Sequence, residues 1–347
     1  MTRLVFAPNW IGDAVMALPA LADVRRHDAS GSLVVAARPG VADVMSLAPG
    51  IDQVVRLSGD TLLGGIRSVA GDVAAIRTVR ADAAILFPNS ARTAVLARRA
   101  AIVERWGYRT DLRRLLLTRA IRTPSAAVHQ VDYYRHLVTE LGFPNGARAP
   151  RLEAPPAAIA KARDLLARSG WDGARRLVGI GPGAAYGGAK RWPPDRFAAV
   201  IRTLSHERGA LCVVVGSQAD RPTVRAIDAA LRAGSGALPT ATIIDLAGQT
   251  DIATLCGVLS LTSTFVSNDS GAMHLAVALG VPVVAMFGPT DDRATSPVGT
   301  TRATIVTTQA WCRPCMLREC PLDHRCMTGI AAADVIGAVD ALDAVKE

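Results

Sequence analysis

The sequence predicts an α/β protein built from two doubly wound domains with parallel sheets. Three observations carry that prediction. Short apolar runs alternate with helical apolar spacing, the pattern of strand–helix–strand units whose strands lie parallel. The strands of the second half end in small or polar turns such as Gly181-Pro182-Gly183 and Gly216-Ser217, which builds one sheet edge to receive a ligand. Hydrophobic residues make up 50% of the chain but aromatics only 4%, so Ala, Val, Leu and Gly fill the interior, and 347 residues exceed one ordinary core.

The first strand is Arg3–Ala7, followed by the loop Pro8–Asp13. A helix runs from about Ala14 to Arg26, because Val15, Leu18, Leu21 and Ala22 fall at helical spacing. Strand Ser32–Ala37, helix Val41–Leu47 and strand Gln53–Leu57 come next. Strand Ala83–Phe87 ends at Pro88-Asn89-Ser90 and leads into a helix over Arg92–Ala100. The Gly- and Pro-containing segment Asn145–Pro156 marks the boundary, giving domains of residues 1–150 and 151–330. The second domain opens with helix Ala157–Ser169. Its strands are Leu177–Ile180, Leu211–Val215, Thr242–Asp245, Thr264–Ser267 and Val281–Phe287. An amphipathic helix over Ala331–Lys346 closes the chain (residues 331–347). Two such halves are expected to face a central cleft.

The most informative stretch is Thr264–Thr290, which reads strand, turn, helix, strand. Ser270 and Gly271 open a helix whose free N–H groups favour an anion, typically a phosphate. His274 adds a donor, and Asp269 suits the hydroxyls of a ribose or sugar. Each residue alone reads as a cap or a core histidine. Together at one strand–helix turn they point to a ligand site.

No apolar run approaches the length of a membrane span. The N-terminus enters a strand directly and does not resemble a signal peptide, so the chain is expected in the cytoplasm. The net charge of +9 concentrates between Ala91 and Arg122, where nine arginines face only Glu104 and Asp111. Arg98, Arg99, Arg113 and Arg114 belong to this cluster, which suggests an anionic partner. Nucleic acid, a phosphorylated glycolipid and an anionic membrane surface are candidates, as is a plain solvated face. With only Trp106 and Tyr108 as aromatics there, and no recognised module, nucleic acid is disfavoured. Cys312, Cys315, Cys320 and Cys326 lie close enough in sequence for a structural zinc, with His324 as a substitute ligand. Reduced buried thiols or an oxidisable loop are the alternatives.

These residues resemble a known family. Asn9-Trp10-Ile11-Gly12-Asp13 with Leu18-Pro19-Ala20, Gly181-Pro182-Gly183-Ala184 with Lys190-Arg191-Trp192-Pro193, Asn268-Asp269-Ser270-Gly271 with His274, Phe287-Gly288-Pro289-Thr290 and the cysteine-rich tail are similar to the ADP-heptose:lipopolysaccharide heptosyltransferases, most of all to their type II members. The motifs run in the family's order through nearly the whole chain. The resemblance implies a GT-B fold of two Rossmann-like domains, acceptor on the first and nucleotide-sugar on the second. It implies inverting transfer of heptose from ADP-heptose to a lipid A–Kdo–heptose acceptor at the inner leaflet of the inner membrane.

Inverting transfer needs a base for the acceptor proton and stabilisation of the departing diphosphate. The resemblance makes Asp13 the base and places Lys190 on the diphosphate, with Ser270, Gly271 and His274 on its other side. Asp269 then lies near the sugar or ribose. Gly216, Ser217 and, more weakly, Thr250 border the adenosine. The arginines Arg98, Arg99, Arg113 and Arg114 would hold the anionic acceptor and the membrane surface. No metal or other cofactor is required by this set. Related patterns carry hydroxyl residues just before the lysine, where this chain has Ala185 and Tyr186. A same-family transferase with another donor or surface glycan is the nearest alternative. A nicotinamide oxidoreductase is disfavoured, because Pro8–Asp13 lacks G-x-G-x-x-G. A non-enzymatic anion binder would explain the arginines but not Asp13, Lys190 and His274.

Overall fold

The computed structural model describes residues 1–58, 66–233, 243–299 and 302–344. The chain divides into two compact units, Met1–Glu153 and Ala154–Glu347. In the first unit the strands are β1 (Thr2–Phe6), β2 (Ser32–Ala37), β3 (Gln53–Arg56), β4 (Ala83–Leu86), β5 (Glu104–Tyr108) and β6 (Arg119–Ile121). They form one sheet in the order β3-β2-β1-β4-β5-β6, and every neighbouring pair is parallel. In the second unit they are β7 (Leu177–Gly181), β8 (Leu211–Val214), β9 (Ile243–Asp245), β10 (Thr264–Asn268), β11 (Val283–Met286) and β12 (Ala303–Val306). Their order, β12-β11-β10-β7-β8-β9, repeats the first topology, again wholly parallel.

Helices on both faces explain the strand compositions. The central strands β4 (Ala-Ala-Ile-Leu) and β10 are buried along their whole length, as strands covered on both sides must be. In the second unit, helix Pro194–His206 starts with proline in its first turn and buries Phe197, Val200, Ile201 and Leu204 on one stripe. The terminal helix Ala332–Asp343 packs into the same core through Val335, Val339 and Leu342. It therefore belongs to the second unit, which the sequence left open. Thr242, Val345 and Lys346, assigned to a strand and a helix from sequence, lie outside the described residues.

In each sheet the strand order reverses between its first and fourth strands, β1/β4 and β7/β10. Loops leaving adjacent strands there diverge to opposite faces and open a crevice at the C-terminal edge, where open α/β sheets take ligands. The first crevice is bordered by helix Ile11–Met16, whose first turn carries Asp13. The second is entered by the loops that carry Lys190 and Asp269.

Strands β5, β6 and β12 were not read from the sequence. The first two lie inside the arginine cluster, and their structure reassigns several of its charges. Arg105 donates to the carbonyls of Leu116, Ile102 and Val103, and the Arg119 guanidinium lies 5.3 Å from the Trp106 ring centroid. Arg113 is fully buried. Its Nε donates to Tyr108 O at 2.8 Å, and Nη1 donates to the Pro88 carbonyl. Burial pulls its pKa down to about 10, so it stays charged at neutral pH. Arg113 thus ties the turns after β4 and β5 together and is not available to an acceptor. Arg98 and Arg99 are exposed, but they end helix Ala91–Arg99, at the sheet edge opposite the crevice. Of the four arginines expected on the acceptor, only Arg114 is both exposed and placed after a strand's C-terminal end.

Removing Arg113 should therefore behave as a core substitution. Arg113→Met is expected to destabilise the protein by about 3 kcal/mol, because buried carbonyls lose a charged donor. Arg114→Ala should change stability by less than about 0.5 kcal/mol. Urea unfolding of both variants checks the contrast.

Candidate active site

The second crevice is built by two loops locked to each other. Asn268, the last residue of β10, donates from Nδ2 to Pro182 O at 2.8 Å and accepts from Trp192 N at 3.2 Å. Its one side chain thereby ties both ends of the loop that follows β7. Trp192 is fully buried and donates from Nε1 to Ile330 O at 3.1 Å. Lys190 lies two residues before this anchor, on a short 3₁₀ turn.

Lys190 Nζ donates to Asp269 Oδ2 at 2.5 Å, and both side chains are nearly buried, at 12% and 6% exposed. Thr290 Oγ1 donates to the same Asp269 oxygen at 2.7 Å. The Lys190 ammonium also sits 4.8 Å from the centroid of the Tyr186 ring, within cation–π range. Tyr186, which replaces the expected hydroxyl residue, thus supports the lysine with its ring face. The sequence brought Lys190 and Asp269 to one site but gave them separate ligand contacts; the structure pairs them directly. Thr290 was missed as a site residue. Its position just beyond β11, the next strand of the same edge, was the available signal.

Ser270 caps helix Gly271–Ala278, its Oγ accepting from Met273 N at 3.4 Å and lying 3.0 Å from Ser267 Oγ. Gly271 is the first helical residue, so the helix N-terminus opens next to the Lys190–Asp269 pair. Backbone N–H groups there and the ammonium form a positive locus suited to an anion with more than one charge, such as a diphosphate. His274 is buried three residues into the helix and already has a partner within the protein.

The neighbouring turn carries Gly216 and Ser217. Ser217 donates to Asp220 Oδ2 from both N (2.8 Å) and Oγ (2.7 Å). A Cβ on Gly183 would stand 2.6 Å from the Asp220 carboxylate, so only glycine lets the β7 loop approach this turn. Gly248 N donates to Gly216 O at 2.9 Å, bringing a third strand end alongside. Thr250 lies two residues further on, before helix Ile252–Ser260, and shares no hydrogen bond with the Lys190–Asp269 pair.

The glycines of the lysine loop pack against the cysteine-rich tail. Gly188 N donates to Glu319 Oε1 at 2.9 Å, Ala189 N to Arg318 O at 2.9 Å, and Tyr186 Oη to Met316 O at 2.7 Å. A Cβ on Gly187 would lie 2.2 Å from Arg318 O. These glycines admit the cysteine-rich tail, which braces the lysine loop from outside. Among the described residues no three His, Cys, Asp or Glu side chains group as a metal site, so the expected zinc cluster finds no support. Burial first, then the neighbouring Cys312, Cys315 and Cys320, raise the pKa of Cys326.

In the first unit, Asp13 lies in the first turn of helix Ile11–Met16, partly exposed beyond β1. Burial, and after it the charge of Asp13, push the Tyr134 phenol well up in pKa. Asp13 also has a partner within the protein.

Three comparisons bear on this geometry. The model of glycosyltransferase family 9 (heptosyltransferase) matches residues 73–325, a span holding Lys190, Asp269 and His274, with Asp13 ahead of it. Lipopolysaccharide heptosyltransferase 2 of Salmonella typhimurium is 30% identical over 305 residues, 86% of either chain. Lipooligosaccharide heptosyltransferase 2 of Campylobacter jejuni is 26% identical over 339 residues, 97% of this chain and 96% of its own. The structure of E. coli ADP-heptose lipopolysaccharide heptosyltransferase II superposes with a TM-score of 0.81 at 24% identity, covering 99% of this chain and 98% of that one. That last likeness is one of fold, the GT-B class with two α/β domains. The family match, joined to the Salmonella relative, shows that this chain belongs to glycosyltransferase family 9, the heptosyltransferases.

Proposed function

We propose that this chain is an inverting heptosyltransferase that transfers heptose from ADP-heptose to the heptose–Kdo inner core of lipopolysaccharide. The observation that carries the proposal is the buried Lys190–Asp269–Thr290 cluster beside the N-terminus of helix Gly271–Ala278. The relatives' names supply the donor and acceptor: heptosyltransferases 2 of lipopolysaccharide and lipooligosaccharide, and an ADP-heptose enzyme.

In this mechanism Asp13 accepts the proton of the attacking acceptor hydroxyl. The oxygen bonds to the anomeric carbon as the bond to the diphosphate breaks from the opposite face, which inverts the centre. ADP departs with its new charge facing Lys190 and the helix N-terminus of Ser270 and Gly271, which stabilise it electrostatically. Lysine suits this role because its three donors swing from Asp269 to the diphosphate without losing every contact. Asp269, held by Thr290, then receives a hydroxyl of the sugar. Gly216 and Ser217 border the nucleoside, with Thr250 at greater remove.

Contact with a membrane surface is the second part of the proposal. Among the described residues no helix is long and apolar enough to cross a membrane. Leu112 and Leu115 are 99% and 91% exposed on the turn that Arg113 anchors. Exposed Arg109 and Arg114 flank them. Apolar side chains among cations fit the interface of an anionic leaflet, here the cytoplasmic face of the inner membrane.

Transfer from ADP-heptose to lipid A–Kdo–heptose tests the function directly, and the absence of turnover by folded, ADP-binding protein would overturn it. Asp13→Asn should lower kcat roughly 10²- to 10⁴-fold with ADP affinity intact, the loss expected for a general base. Lys190→Met should weaken ADP binding about tenfold or more, from the loss of a charge-assisted contact. Asp269→Asn should keep or tighten ADP binding, since the lysine is released, while transfer falls; calorimetry beside the assay separates the two. Leu112→Ser with Leu115→Ser should cut binding to anionic vesicles about tenfold at unchanged ADP affinity, measured by sedimentation.

A further inference from the structure

We propose that a small cavity at the crevice of the first sheet is an oxyanion subsite, in which Arg38 and Arg92 hold a carboxylate or phosphate carried by the acceptor sugar. The inference rests on the acceptor role proposed for the first unit. The cavity lies beyond the ends of β1 and β2 and beside the start of helix Ala91–Arg99, with Phe6 and Leu96 in its wall and Asn9, Arg38, Ser90 and Arg92 as its polar lining. Asn9 belongs to the loop that continues into Asp13, so a group held here is four residues along the chain from the proposed base.

Arg92 is the first argument. Its Nη2 donates to Asp72 Oδ2 at 2.6 Å, and the side chain is only 11% exposed. Asp72 is itself buried, and it also accepts from Ser58 N at 2.7 Å and Ser58 Oγ at 3.1 Å. The aspartate therefore fixes the guanidinium by one edge. The other nitrogen, Nη1, is buried with no partner. A buried charged donor without an acceptor is costly. Arg3, Arg113 and Arg176 also carry such a nitrogen, but of the four only Arg92 lines this cavity, where a ligand could supply the acceptor. Asp72 is absent from the cavity lining, so its negative charge holds Arg92 from behind.

Arg38 is the second argument. It follows β2 directly and is half-buried, and its guanidinium makes no ion pair or hydrogen bond among the described residues. Two guanidinium groups on one cavity, one held by its back edge, form a fork for a planar or tetrahedral oxyanion. The field of the helix that begins at Ala91 acts in the same sense.

The test uses the full chain with ADP bound, so that the nucleotide site is filled. Arginine Nε–H signals of ¹⁵N-labelled protein are followed by NMR during titration with inorganic phosphate and, separately, with free Kdo. Binding that shifts two arginine signals, both lost or displaced in Arg38→Ala and Arg92→Lys, is the expected result. Arg92→Lys keeps a cation for Asp72, and Arg38 has no structural partner to lose. In the transfer assay both variants should raise the acceptor KM roughly 10- to 100-fold with the donor KM unchanged, as for hydrogen bonds to a charged group. Native enzyme should discriminate against either a carboxyl-reduced or a dephosphorylated acceptor, and the variants should not; the acceptor that loses its penalty identifies the source of the anion. No arginine shift with either probe, or variants with the native acceptor KM and discrimination, would overturn the proposal. If the native protein transfers nothing while the shifts appear, the subsite stands and the heptosyltransferase function fails.

Discussion

The site depends on one amide side chain. Asn268 bonds to Pro182 and Trp192 at once, so the loop that carries Lys190 is fixed at both ends to the strand that delivers Asp269. Without that tie the lysine would sit on a solvent-exposed loop nine residues past its strand, and its ion pair would be a surface pair worth little. Held in place, the pair is nearly dry. Loss of one partner then leaves an uncompensated buried charge, a penalty on the order of 3–5 kcal/mol. The cysteine-rich tail adds a second brace through Glu319, Arg318 and Met316. Local order at the lysine is therefore bought by residues far from it in sequence.

That distribution explains what the sequence could and could not convey. Strands β2, β4, β7 and β8 are almost wholly apolar and β1 and β10 have apolar centres, because all six are inner strands of their sheets, and their ends announce the crevices. The turn at Asn268–Gly271 was legible for the same reason: it is local chemistry at a predictable edge. Strands β5 and β6 were hidden because arginines that stack and hydrogen-bond inside the fold look, in sequence, like a solvated basic face. Arg113 is the clearest case. Nothing in its neighbours, Leu112 and Arg114, distinguishes a fully buried guanidinium from an exposed one; the carbonyls that receive it belong to Pro88, 25 positions away, and to the strand end Tyr108.

The tail has a use that its composition does not announce. Four cysteines at short spacing satisfy the count for a metal site, but among the described residues no such group is found. The segment is occupied in covering the lysine loop, and the glycines opposite it are there to let its backbone come close. Glycine at 187 and 188 gives a backbone with no side chain in the way, which a phosphate cradle and a close-packed neighbouring segment need alike. Only the identity of the partner separates them.

The two units solve a common problem with different cations. At each switch point a buried aspartate holds a positive side chain at the C-terminal edge of the sheet: Asp269 holds Lys190, and Asp72 holds Arg92. The choice of cation fits the ligand each edge is proposed to receive. An ammonium is a point charge with rotating donors, so Lys190 can exchange its aspartate for a diphosphate and return to it when ADP leaves. Coulomb attraction favours that exchange, since a diphosphate presents more charge than one carboxylate at similar distance. A guanidinium is a rigid fork with two usable edges, so Arg92 keeps its aspartate on one and offers the other. The first arrangement suits a group whose charge changes during the reaction. The second suits a group that has only to be held still while a neighbouring hydroxyl reacts.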